Sequence, residues 1–251
     1  MLLSGGSSFM NDATLRAWLK PLAFTTSLGA AVGFPWEITR TKALTKRDTV
    51  DIYAKDGSLP GFNSRLLLLP GYGFGVVVLV AGPGVRAVNT LAEAALAHTF
   101  PAVEAAGRQS MQSLGYTGRF SAGKDSWIEI AQDDGPGLVI KAWWSNGVDF
   151  VRTVNTAVGT VRWALYPAEA LSADRTAEDW REVVEPPDAL TSSPALGTKG
   201  VWEGECVSWA QVDRGHYGGQ GLDKLVFRKK RRDGRVVAVE IPFLRVVLTR
   251  E

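Results

Sequence analysis

Cysteine is almost missing from this chain of 251 residues: Cys206 stands alone. That excludes an intrachain disulfide and leaves the redox compartment unread. A solitary cysteine reads as a small buried or half-buried thiol. Histidine is nearly as scarce, with His98 and His216 the only two, which leaves little material for a metal site, and none is expected. No apolar run reaches the roughly 20 residues of a membrane span. The first residues, MLLSGGSSFMNDATLRAW, lack the basic region and the sustained apolar stretch of a signal peptide; they read as the interior of a domain. A net charge of +2 gives no global electrostatic reason to expect nucleic acid as a partner. Internal repeats and low-complexity tracts are absent.

What is present describes a globular protein. The apolar fraction is 45% with both signs of charge mixed in, and the length suits one large domain or two ordinary ones. The 27 glycines and nine tryptophans fit short strands, tight turns and an aromatic core.

Near the start, Phe9, Leu15, Trp18 and Leu19 predict a short helix, capped by Asn11 or Asp12 and ended by Pro21. Gly33, Pro35 and Trp36 suggest a turn into an extended segment, and Val50–Ala54 alternates as a strand does. Leu66–Leu69 and Val76–Val80 are continuous apolar runs. Such runs predict strands buried on both faces, in a central sheet covered by helices. Pro70, Gly71, Gly73 and Gly75 connect them. From Val85 the period changes: Val88, Leu91, Ala92, Ala95 and Leu96 fall at helical spacing, and the helix extends to about Gln112 with a kink or restart at Pro101.

Beyond Gly115 the composition shifts to short strand candidates: Tyr116–Phe120, Trp127–Ala131, Leu138–Trp143, Val161–Tyr166, Gly200–Val212, Gly221–Arg228, Val236–Phe243 and Leu244–Thr249. Asp133-Asp134-Gly135 and Asn146-Gly147 are the best turn signals. Ser172–Pro187, acidic and ended by proline, reads as a surface loop with one helical turn around Trp180. About eight short strands predict an antiparallel barrel or sandwich.

The stretch that bears on chemistry is Lys55–Gly82, KDGSLPGFNSRLLLLPGYGFGVVVLVAG. A Lys-x-Gly triplet is followed by S-L-P-G-F and then by two apolar strands around a glycine-rich turn. Trp18-Leu19-Lys20-Pro21, Gly33-Phe34-Pro35-Trp36-Glu37 and Tyr116-Thr117-Gly118-Arg119-Phe120 flank it. Taken in order, these segments resemble the serine β-lactamase-like proteins of fungi, relatives of class C β-lactamases and penicillin-binding proteins, which often carry an added lipocalin-like C-terminal β-domain. The resemblance covers essentially the whole chain. It implies an α+β chain: residues 1–112 as the C-terminal remnant of a β-lactamase/transpeptidase-like domain, a partial sheet with a covering helix, and 113–251 as a lipocalin-like antiparallel β-barrel.

The resemblance also implies acyl-enzyme chemistry without metal or organic cofactor. Lys55 would be the pocket cation, Gly57 the place where substrate lies against the backbone, and Ser58 the donor of an oxyanion-hole N–H. Asp56 departs from the family, which has a hydroxyl residue there. Its carboxylate is expected to repel an anionic substrate, which favours a neutral ester, amide or lactone over a β-lactam.

The family's nucleophile motif is Ser-x-x-Lys, at the start of a helix upstream of the Lys-x-Gly strand. Its letters occur once here, at Ser121–Lys124, downstream and inside a glycine-rich turn. Tyr-x-Asn does not occur. Other candidates are weaker. His98 falls late in the amphipathic helix as a partly exposed residue. Ser208, His216 and Asp213 can be written as a triad, but neighbours in one hairpin rarely take triad geometry. Arg228–Arg232, RKKRR, reads as a solvated hairpin tip guarding an edge, with an anionic nucleic acid or membrane the other reading. The tryptophans, Trp143-Trp144, Trp202 and Trp209 among them, read as core and barrel lining, with a small apolar ligand in the barrel as a minority reading. Glu203 and Glu205 share a strand face without a His or Cys neighbour to make a metal set.

The expectation is therefore a fragment of a serine hydrolase acting on a small ester or amide, truncated ahead of its nucleophile and inactive alone. Two alternatives remain: a shortened, non-catalytic binding module using its β-domain, or a subunit completing the site of a nucleophile-bearing partner chain. No nucleic-acid partner is expected. Relatives of this kind are often secreted, but the chain itself gives no compartment.

Overall fold

In the computed structural model, residues 10–82, 85–159, 161–171, 175–185, 192–193, 198–199 and 212–251 are described. The chain divides into two compact units, Met1–Arg108 and Gln109–Glu251, and antiparallel β-structure dominates both.

The first unit opens on helix α1 (Asp12–Trp18), capped by Asn11, whose Oδ1 accepts the Thr14 N–H at 2.8 Å. Six strands follow: β1 (Ala23–Phe24), β2 (Ala30–Val32), β3 (Glu37–Thr41), β4 (Val50–Leu59), β5 (Phe62–Leu69) and β6 (Phe74–Ala81). They form one antiparallel meander in chain order. The β4–β5 turn is Pro60-Gly61. Gly61 sits at φ 81°, a conformation open to glycine and costly for other residues. Helix α2 (Val85–Ser113) comes next, without a break at Pro101.

Val88, Ala92, Leu96 and Phe100 of α2 are buried. Ala92, Leu96 and Phe100 pack with Val50, Ile52, Leu67 and Leu69 on one face of the sheet. On the other face, Trp36, Ile38, Tyr53 and Leu68 pack with Trp18 and Leu19 at the end of α1. That cover stops short. Leu59, Phe62, Val77 and Leu79 are 71%, 63%, 63% and 77% exposed. The expectation of strands buried on both faces is thus corrected for β6, which alternates half-buried and exposed along its length. An unbroken apolar run does not say how many of its faces meet a partner.

Helix α2 ends at Gly115. The Tyr116 N–H bonds the Met111 carbonyl, and the Gly115 N–H bonds that of Gln112, at 3.0 Å each. This is a Schellman closure with glycine in the left-handed position, at φ 82°.

The second unit contains β7 (Gly118–Ser121), β8 (Trp127–Ala131), β9 (Leu138–Ser145), β10 (Val148–Asp149), α3 (Phe150–Val158), β11 (Arg162–Leu171) and β12 (Ala177–Glu185). Then come β13 (Ser192–Ser193), β14 (Thr198–Lys199), β15 (His216–Tyr217), β16 (Gln220–Gly221), β17 (Lys224–Lys229), β18 (Val236–Ile241) and β19 (Val246–Arg250). Eight of these close a ring, β7-β8-β9-β11-β12-β17-β18-β19, with β19 returning to β7 through Thr249↔Ser121 and Arg250↔Phe120. Neighbours in the wall are neighbours in sequence, as in an up-and-down barrel. Strands β13 with β14 and β15 with β16 make two small hairpins between β12 and β17.

The barrel is filled by its own side chains. Trp143, Phe120, Phe227, Ile128, Ile130, Leu165 and Leu225 are all but inaccessible. Tyr116, Trp180 and Phe227 meet with ring centroids 5.1–5.7 Å apart. This interior does not favour the minority reading of an apolar ligand in the barrel. Within the segment read as an acidic surface loop, Ala177–Glu185 is strand β12, and Trp180 is a core residue at 3% exposure; residues 172–174 and 186–187 of that segment lie outside the described residues. Its inward row runs Glu178, Trp180, Glu182, Val184, so carboxylates interrupt the apolar alternation that marks a strand. Trp202 and Trp209, Glu203 and Glu205, Cys206 and Ser208, and most of the strand read at Gly200–Val212, lie outside the described residues.

Candidate functional site

Lys55, Gly57 and Ser58 all lie within β4. The two-residue turn at Pro60-Gly61 sets Leu59 opposite Phe62, and the register then pairs Ser58 with Asn63, Gly57 with Ser64, Asp56 with Arg65 and Lys55 with Leu66. Strand β3 ends earlier, its last pair with β4 being Glu37↔Ala54. From Lys55 to Leu59, β4 therefore has β5 on one side and, among the described residues, no strand on the other.

Backbone directions follow from the alternation of an antiparallel ladder. The Gly82 N–H bonds the Gly61 carbonyl at 2.8 Å, so the odd residues of β5 face β6 and the even ones face β4. Across that ladder Lys55, Gly57 and Leu59 exchange bonds with β5. The N–H and C=O groups of Asp56 and Ser58 point the opposite way, to the side that β3 has vacated. The bond from the Arg40 N–H to the Gly29 carbonyl at 2.8 Å agrees with the same alternation carried through β3.

The side chains divide by face. Asp56 shares the α2-covered face with Ala54, and Arg65 grips it with two hydrogen bonds at 2.6 and 2.5 Å. Those bonds hold the Asp56 carboxyl below its usual value and raise the Arg65 guanidinium. The expected repulsion of an anionic substrate by Asp56 is accordingly offset by a matched cation on the face away from Lys55. The signal was present in the sequence: a two-residue turn fixes Asp56 opposite Arg65.

Lys55 alternates to the other face, with Tyr53 and Gly57, and its Nζ reaches the Glu37 carboxylate at 3.1 Å. Both partners are about half exposed, and a pair so solvated is worth about 0–1 kcal/mol. Its ammonium can therefore leave Glu37 for a better partner at small cost. A Cβ on Gly57 would stand 2.7 Å from Ser64 Oγ, so the glycine answers to its cross-strand neighbour as well as to any ligand. Ser58 Oγ bonds Asn63 Oδ1 at 2.8 Å.

The remaining candidates fall away from this place. Ser121 closes β7, and Lys124 is exposed in the turn that follows, so the lone Ser-x-x-Lys spans a hairpin and not a helix start. His98 is an exposed helix residue. His216 is exposed on β15, and Asp213 is engaged by Arg181 at 2.9 Å. The RKKRR run is not uniformly a solvated tip. Arg228 pairs with Glu240, and Lys229 turns inward, its Nζ 3.0 Å from Tyr116 Oη and 3.1 Å from Glu178. Sequence reasoning missed this last cluster because its members lie 51 to 113 residues apart. No described helix is long and apolar enough to cross a membrane.

A family model described as "Beta-lactamase-like-like, C-terminal domain" matches residues 108–251. A beta-lactamase-like protein of Arthroderma benhamiae is 33% identical over 95% of this chain and 44% of its own length. Probable hydrolase M10 of a Phoma species is 24% identical over 95% of this chain and 42% of its own. Probable hydrolase clz13 of Cochliobolus lunatus is 23% identical, over 96% and 41% respectively. The chain thus spans less than half the length of these relatives. No solved structure matches it. With the matched region covering more than half of its residues, the chain belongs to the beta-lactamase-like family, through the C-terminal domain which that model describes.

Proposed function

We propose that this chain forms one wall of the pocket of a β-lactamase-like serine hydrolase, cleaving a small ester, amide or lactone through an acyl-enzyme. Lys55 is the cation of that wall, Gly57 the point where substrate lies against the backbone, and Ser58 supplies a backbone N–H to the oxyanion. Residues up to about 112 belong to the hydrolase domain, and the lipocalin-like barrel from 113 is its appended β-domain. The nucleophile comes from residues carrying Ser-x-x-Lys and Tyr-x-Asn that lie outside these 251 residues, upstream in the intact hydrolase or, as the alternative, on a complementing chain, and these residues by themselves do not turn over.

One observation carries the reading: beyond Ala54 the backbone of β4 has, among the described residues, a strand on one side only, and the Ser58 N–H faces the other side. An N–H fixed in a strand is a preorganised donor, and such donors commonly lower the barrier by about 3 kcal/mol. The hydrolase names of the relatives agree with it. With Asp56 matched by Arg65, the wall imposes no charge selection against anionic substrates, so β-lactams stand beside neutral esters as substrates to try.

The test is hydrolysis of a chromogenic ester and a chromogenic β-lactam by the purified chain, alone and co-expressed with a polypeptide carrying the two missing motifs. Hydrolysis is expected only from the pair, and Lys55→Ala should reduce it by at least tenfold. Turnover by the chain alone, or a pair indifferent to Lys55→Ala, would overturn the proposal.

A further inference from the structure

Strand β9 changes partners along one of its sides. Its first two residues pair with β11, through Leu138↔Leu165 and Val139↔Ala164. Its last two pair with β10, through Trp144↔Asp149 and Ser145↔Val148. Strand β8 occupies the opposite side throughout, meeting both Val139 and Trp144. Between the two partners, Ile140–Trp143 has no strand on the β11 side among the described residues. The stretch contains a bulge: Ile140 and Ala142 face Ile130 and Glu129, which are adjacent on β8, so Lys141 is an extra residue. A bulge bends its strand and re-aims the side chain it carries. Here the ladder with β11 stops just ahead of it, and Lys141 stands exposed.

Helix α3 follows β10 directly and packs against β9. A cleft of about 380 Å³ lies there, lined by Lys141 and Ala142 of β9, by Val151, Arg152 and Asn155 of α3, and by its capping residue Asp149. That volume suits a small ligand. The Arg152 backbone is pinned at both ends: Asp149 Oδ1 accepts its N–H at 3.0 Å, and Thr156 Oγ1 donates to its carbonyl at 2.8 Å. The turn that carries the guanidinium is therefore fixed, yet neither the guanidinium nor the Lys141 ammonium enters an ion pair among the described residues. Asp133 feels the Lys141 charge, but Arg162 already grips that carboxylate with two bonds at 2.9 Å. Asn155 Oδ1 accepts the Nε1–H of buried Trp163 at 3.1 Å. An indole only donates, so the amide oxygen is committed to Trp163 and the amide NH₂ is left as a donor for the cleft.

We propose that this cleft binds a small organic monocarboxylate. The Arg152 fork matches a carboxylate with two parallel bonds. Lys141 adds a second cation and the Asn155 NH₂ a neutral donor, while Ala142 and Val151 offer the organic part an apolar surface. Charge decides between carboxylate and phosphate. Two cations against the single Asp149 carboxylate leave one positive charge in the lining, which a monoanion balances and a phosphate dianion exceeds. All these groups lie within the region that the C-terminal domain model matches, so the site travels with that domain.

The experiment is isothermal titration of the full chain, at low salt, with hexanoate, inorganic phosphate and the neutral hexanamide. Hexanoate is expected to bind saturably at one site, phosphate more weakly and hexanamide not at all. Arg152→Gln and Lys141→Gln, both at exposed positions, should each weaken hexanoate by about tenfold. Lys124→Gln, which removes an exposed cation from the β7–β8 turn, should leave it unchanged. Absence of saturable hexanoate binding, binding that survives both cleft substitutions, or an equal loss with Lys124→Gln overturns the proposal. Phosphate bound as tightly as hexanoate overturns the assignment to monocarboxylates. Should either cleft variant lose its far-UV circular dichroism, amide NMR of the unaltered chain decides. Hexanoate should then shift the Lys141 and Arg152 amides and the Asn155 side-chain NH₂ first, and shifts confined to other residues overturn the proposal.

Discussion

Single residues show how much a neighbour across a strand changes a side chain's meaning. Asp56 in isolation is a misplaced carboxylate; opposite Arg65 it is half of a bidentate pair. Glu182 is the reverse case. It alternates to the inside of the barrel wall beside Trp180, opposite Leu165, and loss of water there, with the Asp223 carboxylate adding to it, pushes its carboxyl up to about 8. The sign of the linkage follows. Below the ordinary glutamate value both folded and unfolded chains hold this proton, and Glu182 costs nothing. As pH rises from there to about 8, the unfolded chain releases the proton and the folded chain keeps it. Stability therefore falls across that window, by up to about 1.4 kcal/mol per pH unit, and levels off above it. Glu182→Gln should flatten this slope, as read from urea midpoints over a pH series; an unchanged slope would show that Glu182 does not titrate in this way.

At the scale of elements, legibility tracked whether the inward row of a strand is apolar. Trp127–Ala131 was readable to the residue because buried Ile128 and Ile130 flank the exposed Glu129 in strict alternation. Helix α1 was readable from its Asn11 cap and α2 from its spacing. Strand β12 was not, since Glu178 and Glu182 stand where a reader expects apolar residues, and their compensation lies far along the chain. Glu178 is met by Lys229 and Tyr116, all of them largely buried, and the Tyr116 hydroxyl is held protonated by burial and by its bond to Glu178. Lys229→Met should cost about 2 kcal/mol in chemical denaturation, because it leaves a desolvated carboxylate with one partner in place of two. Adding Glu178→Gln should recover part of that loss, since the stranded charge and not the missing contact carries most of it. The candidate site was legible as a pattern of residue types. Its open backbone edge was not, because where β3 stops is decided by tertiary register.

For the whole molecule, the division at Arg108 and Gln109 falls near the change in composition read after Gly115, where helical spacing gives way to short alternating strands. The second unit has its own closed wall and its own aromatic interior, so residues 109–251 expressed alone should fold cooperatively, with a single unfolding transition followed by tryptophan fluorescence. A fragment that stays unfolded would mean that the barrel draws essential stability from the first 108 residues.

The pairing of Thr249 with Ser121, and of Arg250 with Phe120, has a consequence in time. On the ribosome β7 emerges ahead of the rest of the wall and obtains β8 at once, but its other neighbour is not yet translated. Until β19 appears the wall is an open ribbon with two raw edges, and closing a loop of that length is slow because its entropy must be spent before any contact repays it. The nascent chain is therefore most vulnerable to misassembly shortly before synthesis reaches Arg250, and codon speed or a chaperone acting in that interval should change the yield of folded protein more than either would earlier.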